Sequence, residues 1–292
     1  MATEELADST REKYRFVLKR FTAYLDSQGL TNVREITPDV VNDYLAERAE
    51  DVHPTKKTRI GREGLKSDQR VLHAIMNHAV EQELIDKNPV KGKRLNTRSG
   101  EVVPFTDEEV ERMLKWAEDR EGGAGRPLNL AGIIWLFLNT GLRLSDVVNF
   151  PKSAIRGDWI ALVTKKRKKL VRLPLLPSTK EALERWTQSF NAEQSKSPWL
   201  FPTRTGRPMQ NLDGVLRRLW RRAGIEGGHA HRFRHTFAVR MLRNGAQLYD
   251  VAQALGITVA VCVKHYAPFV SELEQRVQRL VGTLETVGDN EA

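Results

Sequence analysis

The sequence predicts a mainly α fold with a small β-sheet, arranged as two domains. Three observations lead there. Apolar residues recur at spacings of three and four through most of the chain, the signature of amphipathic helices. β-rich runs gather in one place only, between Trp159 and Leu175. A basic, glycine-containing stretch without apolar period, Lys91 to Gly100, separates two helical regions and reads as a linker. The length of 292 residues suits two domains of roughly 150 each. The expected layout is a helical domain over 1–90, a linker over 91–101 and a second domain over 102–292.

In chain order, Tyr14, Val17, Leu18, Phe21, Tyr24 and Leu25 form one stripe of a helix between Ser9 and Gly29, whose other faces carry Arg11, Lys13, Arg15, Lys19 and Arg20. Thr37 before Pro38 is an N-cap followed by a proline at the first helical position, opening a helix that buries Val40, Val41, Tyr44 and Leu45. The period returns from Ser67 to Leu84, and Asn88-Pro89 ends it. Past the linker, Thr106 with Glu109 is a capping box. Leu128 to Leu138 is a helix packed on most sides and stopped by Gly141. Two β runs, Trp159 to Thr164 and Leu170 to Leu175, flank a Lys165-Lys166-Arg167-Lys168-Lys169 tip as a hairpin. Helices are expected around Thr179–Phe190, Asn211–Ala223, His231–Asn244, Leu248–Leu255 and Val270–Leu284.

Composition narrows the function. No stretch reaches about 18 apolar residues, and Glu4, Glu5 and Asp8 at the start do not fit a signal peptide. A single cysteine, Cys262, forms no internal disulfide, so the cytoplasm is the expected compartment. Lys and Arg number 47 against 37 Asp and Glu, a net charge of +10 that asks for a polyanion, nucleic acid first.

Four places carry unusual functional groups. Arg143 sits in the turn Thr140-Gly141-Leu142-Arg143, with Ser145 or its neighbour capping a short helix; local spacing pairs it with Asp146. The hairpin tip sets five cations in a row, a probe for a phosphate or simply a solvated loop. In His229-Ala230-His231-Arg232-Phe233-Arg234-His235 a helix puts His231, Arg234 and His235 on one side and Phe233 on the other. Histidines that merely cap a core helix are the competing reading; a zinc site is disfavoured, by the neighbouring arginine and for want of cysteine or acidic ligands. Last, Tyr266 lies in Lys264-His265-Tyr266-Ala267-Pro268-Phe269, a loop before a terminal helix, where a tyrosine usually packs half-buried.

Together and in this order, the four places resemble the tyrosine recombinase (phage integrase) family across nearly the whole chain. The resemblance implies an N-terminal helical core-binding (SAM-like) domain that binds DNA and a mixed α/β catalytic domain. It makes Arg143, Lys166, His231, Arg234 and Tyr266 catalytic, with Asp146, His235 and His265 supporting. Lys166 is reached by counting back eight residues from Pro174, among the neighbours Lys165, Lys168 and Lys169. A second HxxR register, His229 with Arg232, competes, but only the later one is followed by His235-Thr236-Phe237-Ala238 as in the family. Ile257 departs from the pattern, standing nine residues before Tyr266 where His or Trp is usual.

The chemistry so implied is attack by Tyr266 on a DNA phosphodiester, giving a 3′-phosphotyrosyl link and a free 5′-hydroxyl. Two guanidinium forks, Arg143 and Arg234, suit a charged phosphorane, and no metal or other cofactor is called for. His231 is the expected proton acceptor or relay, and Lys166 the donor to the departing oxygen. Isoleucine at 257 leaves three outcomes: a slow enzyme, one rescued by His265, or a retired one. Duplex DNA is the expected partner, contacted by candidates Arg11, Lys13, Arg15, Lys19, Lys165, Lys168, Lys169, Arg217 and Arg221. A homotetramer on DNA, a monomer without it, and accessory DNA-bending proteins belong to the same expectation. Competing readings are a silent DNA-binding protein of this fold and a type IB topoisomerase-like nicking and resealing enzyme.

Overall fold

A computed structural model describes residues 8–52, 59–90, 101–119, 130–166 and 168–270. The chain divides into two compact units, Met1–Gly100 and Glu101–Ala292. The expected linker over 91–101, apart from its last residue, and all but the first residue of the expected tail helix lie outside the described residues.

The first unit is helical. Helix α1 (Asp8–Ser27) is followed by a 3-10 turn, then α2 (Pro38–Glu50) and α3 (Arg62–Glu81). The Thr37 hydroxyl accepts from the Val40 N–H with Pro38 at the first helical position, so the cap forms as its sequence foretold. Helix α3 begins five residues ahead of the expected Ser67, because its first turn is polar and carries no apolar period. Val17, Phe21, Val41, Tyr44, Val71, Leu72 and Met76 make the core, and Phe21 meets Tyr44 edge-on with centroids 4.9 Å apart. Beside this core Asp68, 5 % exposed, accepts from Arg20 Nη2 at 3.2 Å and Arg48 Nε at 3.0 Å, tying the three helices through one carboxylate.

The second unit contains α4 (Asp107–Glu118), α5 (Leu130–Thr140), α6 (Leu144–Val148), strands β1 (Ile155–Arg156), β2 (Trp159–Val163) and β3 (Leu170–Pro174), then α7 (Pro177–Gln188), α8 (Ala192–Lys196), α9 (Leu212–Arg222), α10 (Ala230–Arg243), α11 (Leu248–Leu255) and α12 (Val259–Tyr266). The antiparallel sheet runs β1-β2-β3. Its register pairs Ile160 with Leu173 and Leu162 with Val171, so alternation turns those four side chains inward. Strand β1 and helix α8 were not foreseen; two and five residues show no period.

Helix α5 packs on α4, α7 and α10. Its Ile133, Ile134, Leu136 and Phe137 are fully buried, each worth about 2 kcal/mol by transfer from water. A second apolar cluster joins β3, α11, α12 and the latter half of α10. Helix α10 belongs to both clusters, Phe233 to the first and Phe237, Ala238 and Val239 to the second. Two sequence expectations are corrected here. Tyr266 is not in a loop but is the last residue of α12, opened by the Thr258 hydroxyl accepting from the Val261 N–H. The cap of α6 is Arg143 rather than Ser145, with no side-chain hydrogen bond, because the helix already starts at Leu144.

Candidate active site

The site is built around Arg234, 3 % exposed. Its Nη1 donates to the Gly141 carbonyl at 2.8 Å and its Nη2 to the Leu255 carbonyl at 2.7 Å. Both acceptors lie where a helix ends at a glycine. Gly141 follows α5 at φ +59°, and Gly256 follows α11 at φ +60°. These left-handed residues stop the helices, and the free carbonyls there carry the negative end of the helix dipole, which suits a cation. At Gly141 a Cβ would also stand 2.6 Å from Phe237 and 2.7 Å from Leu255, so any side chain collides.

One residue further along α10, His235 faces Tyr266. Its Nδ1 lies 3.0 Å from the phenolic oxygen. Tyr266 is 3 % exposed. Burial pushes its pKa up to about 12, against the pull of the Arg234 and Arg143 guanidiniums. His235 is pushed down to about 4, by burial first and then by His231, His229, His265 and Arg234. His231, a helical turn earlier, is also depressed to about 4, by desolvation in the crowded cleft and the charges of Arg234 and Arg143, although its outer edge remains open to solvent. The His231 and His235 rings stand with centroids 5.0 Å apart. The expected acceptor, His231, is therefore a neighbour of the hydrogen bond rather than its member. Four residues of spacing align the two histidines, but among the described residues the Tyr266 phenol at the end of α12 hydrogen-bonds to the later one.

Arg143 is largely buried, and its Nη1 lies 3.9 Å from Asp146 Oδ2. The pairing suggested by local spacing thus exists at long range, while Asp146 Oδ1 accepts from the Lys165 N–H at 2.8 Å. Asp146, 3 % exposed, thereby ties the turn bearing Arg143 to the root of the basic hairpin. Lys166 is exposed in the turn that follows. Among the described residues no hydrogen bond or ion pair joins Lys166 to the Tyr266 cluster. Lys169 Nζ donates to Gln253 at 3.2 Å. Lys168 and Lys169 share with Gln253, Gly256, Ile257, Thr258 and Val259 an open cleft of about 630 Å³. Ile257 is 8 % exposed and packs into the second apolar cluster.

Arg232, of the rival HxxR register, is spent on structure. It donates to Glu109 at 2.7 Å and to the carbonyls of Val103, Pro104 and Glu226, and lies over the Phe105 ring at 4.1 Å. His265 adjoins Tyr266 with ring centroids 6.4 Å apart. Arg11, Lys13, Arg15 and Lys19 are exposed along α1, as are Lys165, Lys168, Arg217 and Arg221 in the second unit, with Arg217 paired to Asp213. Among the described residues no three His, Cys, Asp or Glu side chains gather to hold a metal ion, and no helix is long and apolar enough to cross a membrane.

Comparison with known proteins places this geometry in context. The profile of the phage integrase family matches residues 104–269, and that of the phage integrase SAM-like domain matches residues 1–97. The tyrosine recombinase XerD of Rhizobium meliloti (strain 1021) is 27 % identical over 285 residues, covering 94 % of this chain and 88 % of its own. The tyrosine recombinase XerC of Erythrobacter litoralis (strain HTCC2594) is 33 % identical over 158 residues, 52 % of this chain and 50 % of its own. Among solved structures, the Tn1549 transposon integrase in complex with a circular intermediate DNA shares the fold at TM-score 0.74 and 15 % identity, covering 95 % of each chain. The λ integrase dimer bound to a COC′ core site does so at TM-score 0.69 and 15 % identity, covering 92 % of this chain and 90 % of that one.

Proposed function

This chain belongs to the phage integrase family and is a tyrosine-type site-specific recombinase, and from that premise we propose that Tyr266 is its nucleophile and duplex DNA its substrate. The observation that carries the assignment is the environment of the phenol. Tyr266 is buried within reach of both the Arg143 and Arg234 charges and hydrogen-bonded to a histidine, which is no setting for an ordinary packing tyrosine.

In the proposed step the Tyr266 oxygen bonds to phosphorus and the bond from phosphorus to the 5′-oxygen breaks. Arg143 and Arg234 hold the non-bridging oxygens as charge grows there. The Lys166 ammonium gives the departing oxygen its proton, leaving a 3′-phosphotyrosyl link and a 5′-hydroxyl. Attack by a 5′-hydroxyl of another strand reverses each transfer, so no outside energy source enters. Asp146 positions Arg143 and, through the Lys165 N–H, the hairpin carrying Lys166. The exposed cations of α1 and the hairpin supply phosphate contacts, and a homotetramer on DNA completes the exchange.

Burial of Ile257 favours one second reading, a weakened enzyme that binds DNA and cleaves slowly, since an alkyl side chain offers the phosphate no hydrogen bond. Incubation with a nicked target site tests both. A protein–DNA adduct that survives denaturation, is absent from Tyr266→Phe and forms promptly is expected; the same adduct accumulating only slowly supports the second reading, and DNA binding without adduct at any genuine site overturns both in favour of a silent protein.

A further inference from the structure

We infer that His235, rather than the His231 of the HxxR motif, takes the proton of Tyr266 during strand cleavage. The inference rests on Tyr266 being the nucleophile and adds the group that activates it. Three observations bear on it. Nδ1 of His235 is 3.0 Å from the phenolic oxygen, within hydrogen-bond reach of the atom that must lose a proton. The buried phenol needs an exit for that proton. His231 stands edge-on to His235 with centroids 5.0 Å apart and is open to solvent, as is His229, 6.5 Å from the same ring. Finally, Ile257 removes the other position from which the family pattern brings a polar ring, leaving the histidines of α10 and His265 as the imidazoles around Tyr266.

The charges explain when the transfer happens. His231, His229 and Arg234 on α10 and His265 on α12 all disfavour a proton on His235 in the DNA-free chain, while the phenol holds its own tightly. Both partners are then neutral, and the phenol O–H donates to Nδ1. A scissile phosphate set against Arg143 and Arg234 brings a negative charge into this cationic surround and raises the basicity of the imidazole. In the balanced step Tyr266 loses its proton to His235 Nδ1 as the bond to phosphorus forms, while the 5′-oxygen gains its proton separately from Lys166. Rejoining returns both.

The test is single-turnover cleavage of a nicked DNA site by the full chain, using wild type, His235→Ala and His235→Asn. Asparagine keeps an acceptor near the Nδ1 position without a base. Each variant is run on ordinary DNA and on DNA whose bridging 5′-oxygen is replaced by sulfur, a leaving group that needs no proton. DNA affinity is measured in parallel as a check on folding. Loss of the base slows cleavage about a hundredfold or more. That loss is expected for both His235 variants on both substrates, at unchanged DNA affinity, whereas Lys166→Ala recovers on the sulfur substrate. A fluorinated tyrosine of lower phenol pKa at position 266 is expected to restore part of the His235→Asn rate. Wild-type speed in His235→Asn, or full recovery of that variant on the sulfur substrate, overturns the inference alone. Absence of adduct from wild type itself overturns the nucleophile assignment on which it stands.

Discussion

Arg234 donates from Nη1 to the carbonyl of Gly141 at 2.8 Å. The guanidinium of α10 is thereby fixed by the very residue that ends α5, so the turn that introduces Arg143 and the helix that carries Arg234 are held in one register.

Gly141→Ala is the sharpest probe of that coupling. A left-handed backbone costs an alanine about 1–2 kcal/mol. Its Cβ would also press on Phe237 and Leu255, and overpacking adds a further ~1–3 kcal/mol. The variant should melt several degrees lower and form adduct far more slowly at temperatures where it remains folded. Calorimetry with an adduct assay on the same sample checks this.

In the first unit, Asp68→Ala leaves Arg20 and Arg48 without their shared carboxylate. Removing the carboxylate that both guanidiniums share costs about 1–3 kcal/mol, less than for a fully buried pair because Arg20 is partly exposed and Arg48 keeps Asp51. Urea unfolding should show the loss, with Arg48 retaining its pair with Asp51 and the partly exposed Arg20 turning to solvent.

Stability should fall at both ends of the pH scale for separate reasons. His235 is held near 4 against an unfolded value of 6.5, so the unfolded chain binds a proton first, and stability is lost as pH falls from 6.5 towards 4. Tyr266 is held near 12 against 10.0, so the unfolded chain releases a proton first, and stability is lost as pH rises from 10 towards 12. His235→Asn should remove part of the acid limb, His231, also held near 4, supplying a further part, and Tyr266→Phe should flatten the alkaline one, read from urea midpoints across pH.

Ile257→His restores a donor beside the cleft that holds Lys168 and Lys169. A single transition-state donor is worth about a hundredfold. Faster adduct formation at a lower melting temperature is expected, since the isoleucine is buried against apolar neighbours. Unchanged or slower cleavage would show that this position no longer addresses the phosphate.

Much of this was legible in sequence where the signal is local. Thr37-Pro38 and the Thr106–Glu109 box formed as written, because a cap needs only three or four consecutive residues. Helix α12 was missed because Val259-Ala260-Val261-Cys262-Val263 shows no amphipathic period and is β-branched; its helix depends on the Thr258 cap and on burying Cys262 and Tyr266. The role of His235 was understated for a related reason. It meets Tyr266 across 31 residues of chain, and nothing in the spacing of His231 and His235 says which one the end of α12 will approach. The Arg234 carbonyl contacts, 93 and 21 residues away, are equally invisible until α5, α10 and α11 pack.

The central claim is that the Tyr266 oxygen becomes covalently joined to DNA. Digesting a trapped adduct and sequencing the DNA-linked peptide by mass spectrometry tests it directly. A linked peptide spanning residues 264–269, with the modification on Tyr266, is the predicted result. A link to any other residue, such as the exposed Tyr249, or a genuine target site that is bound yet never captured, would contradict it.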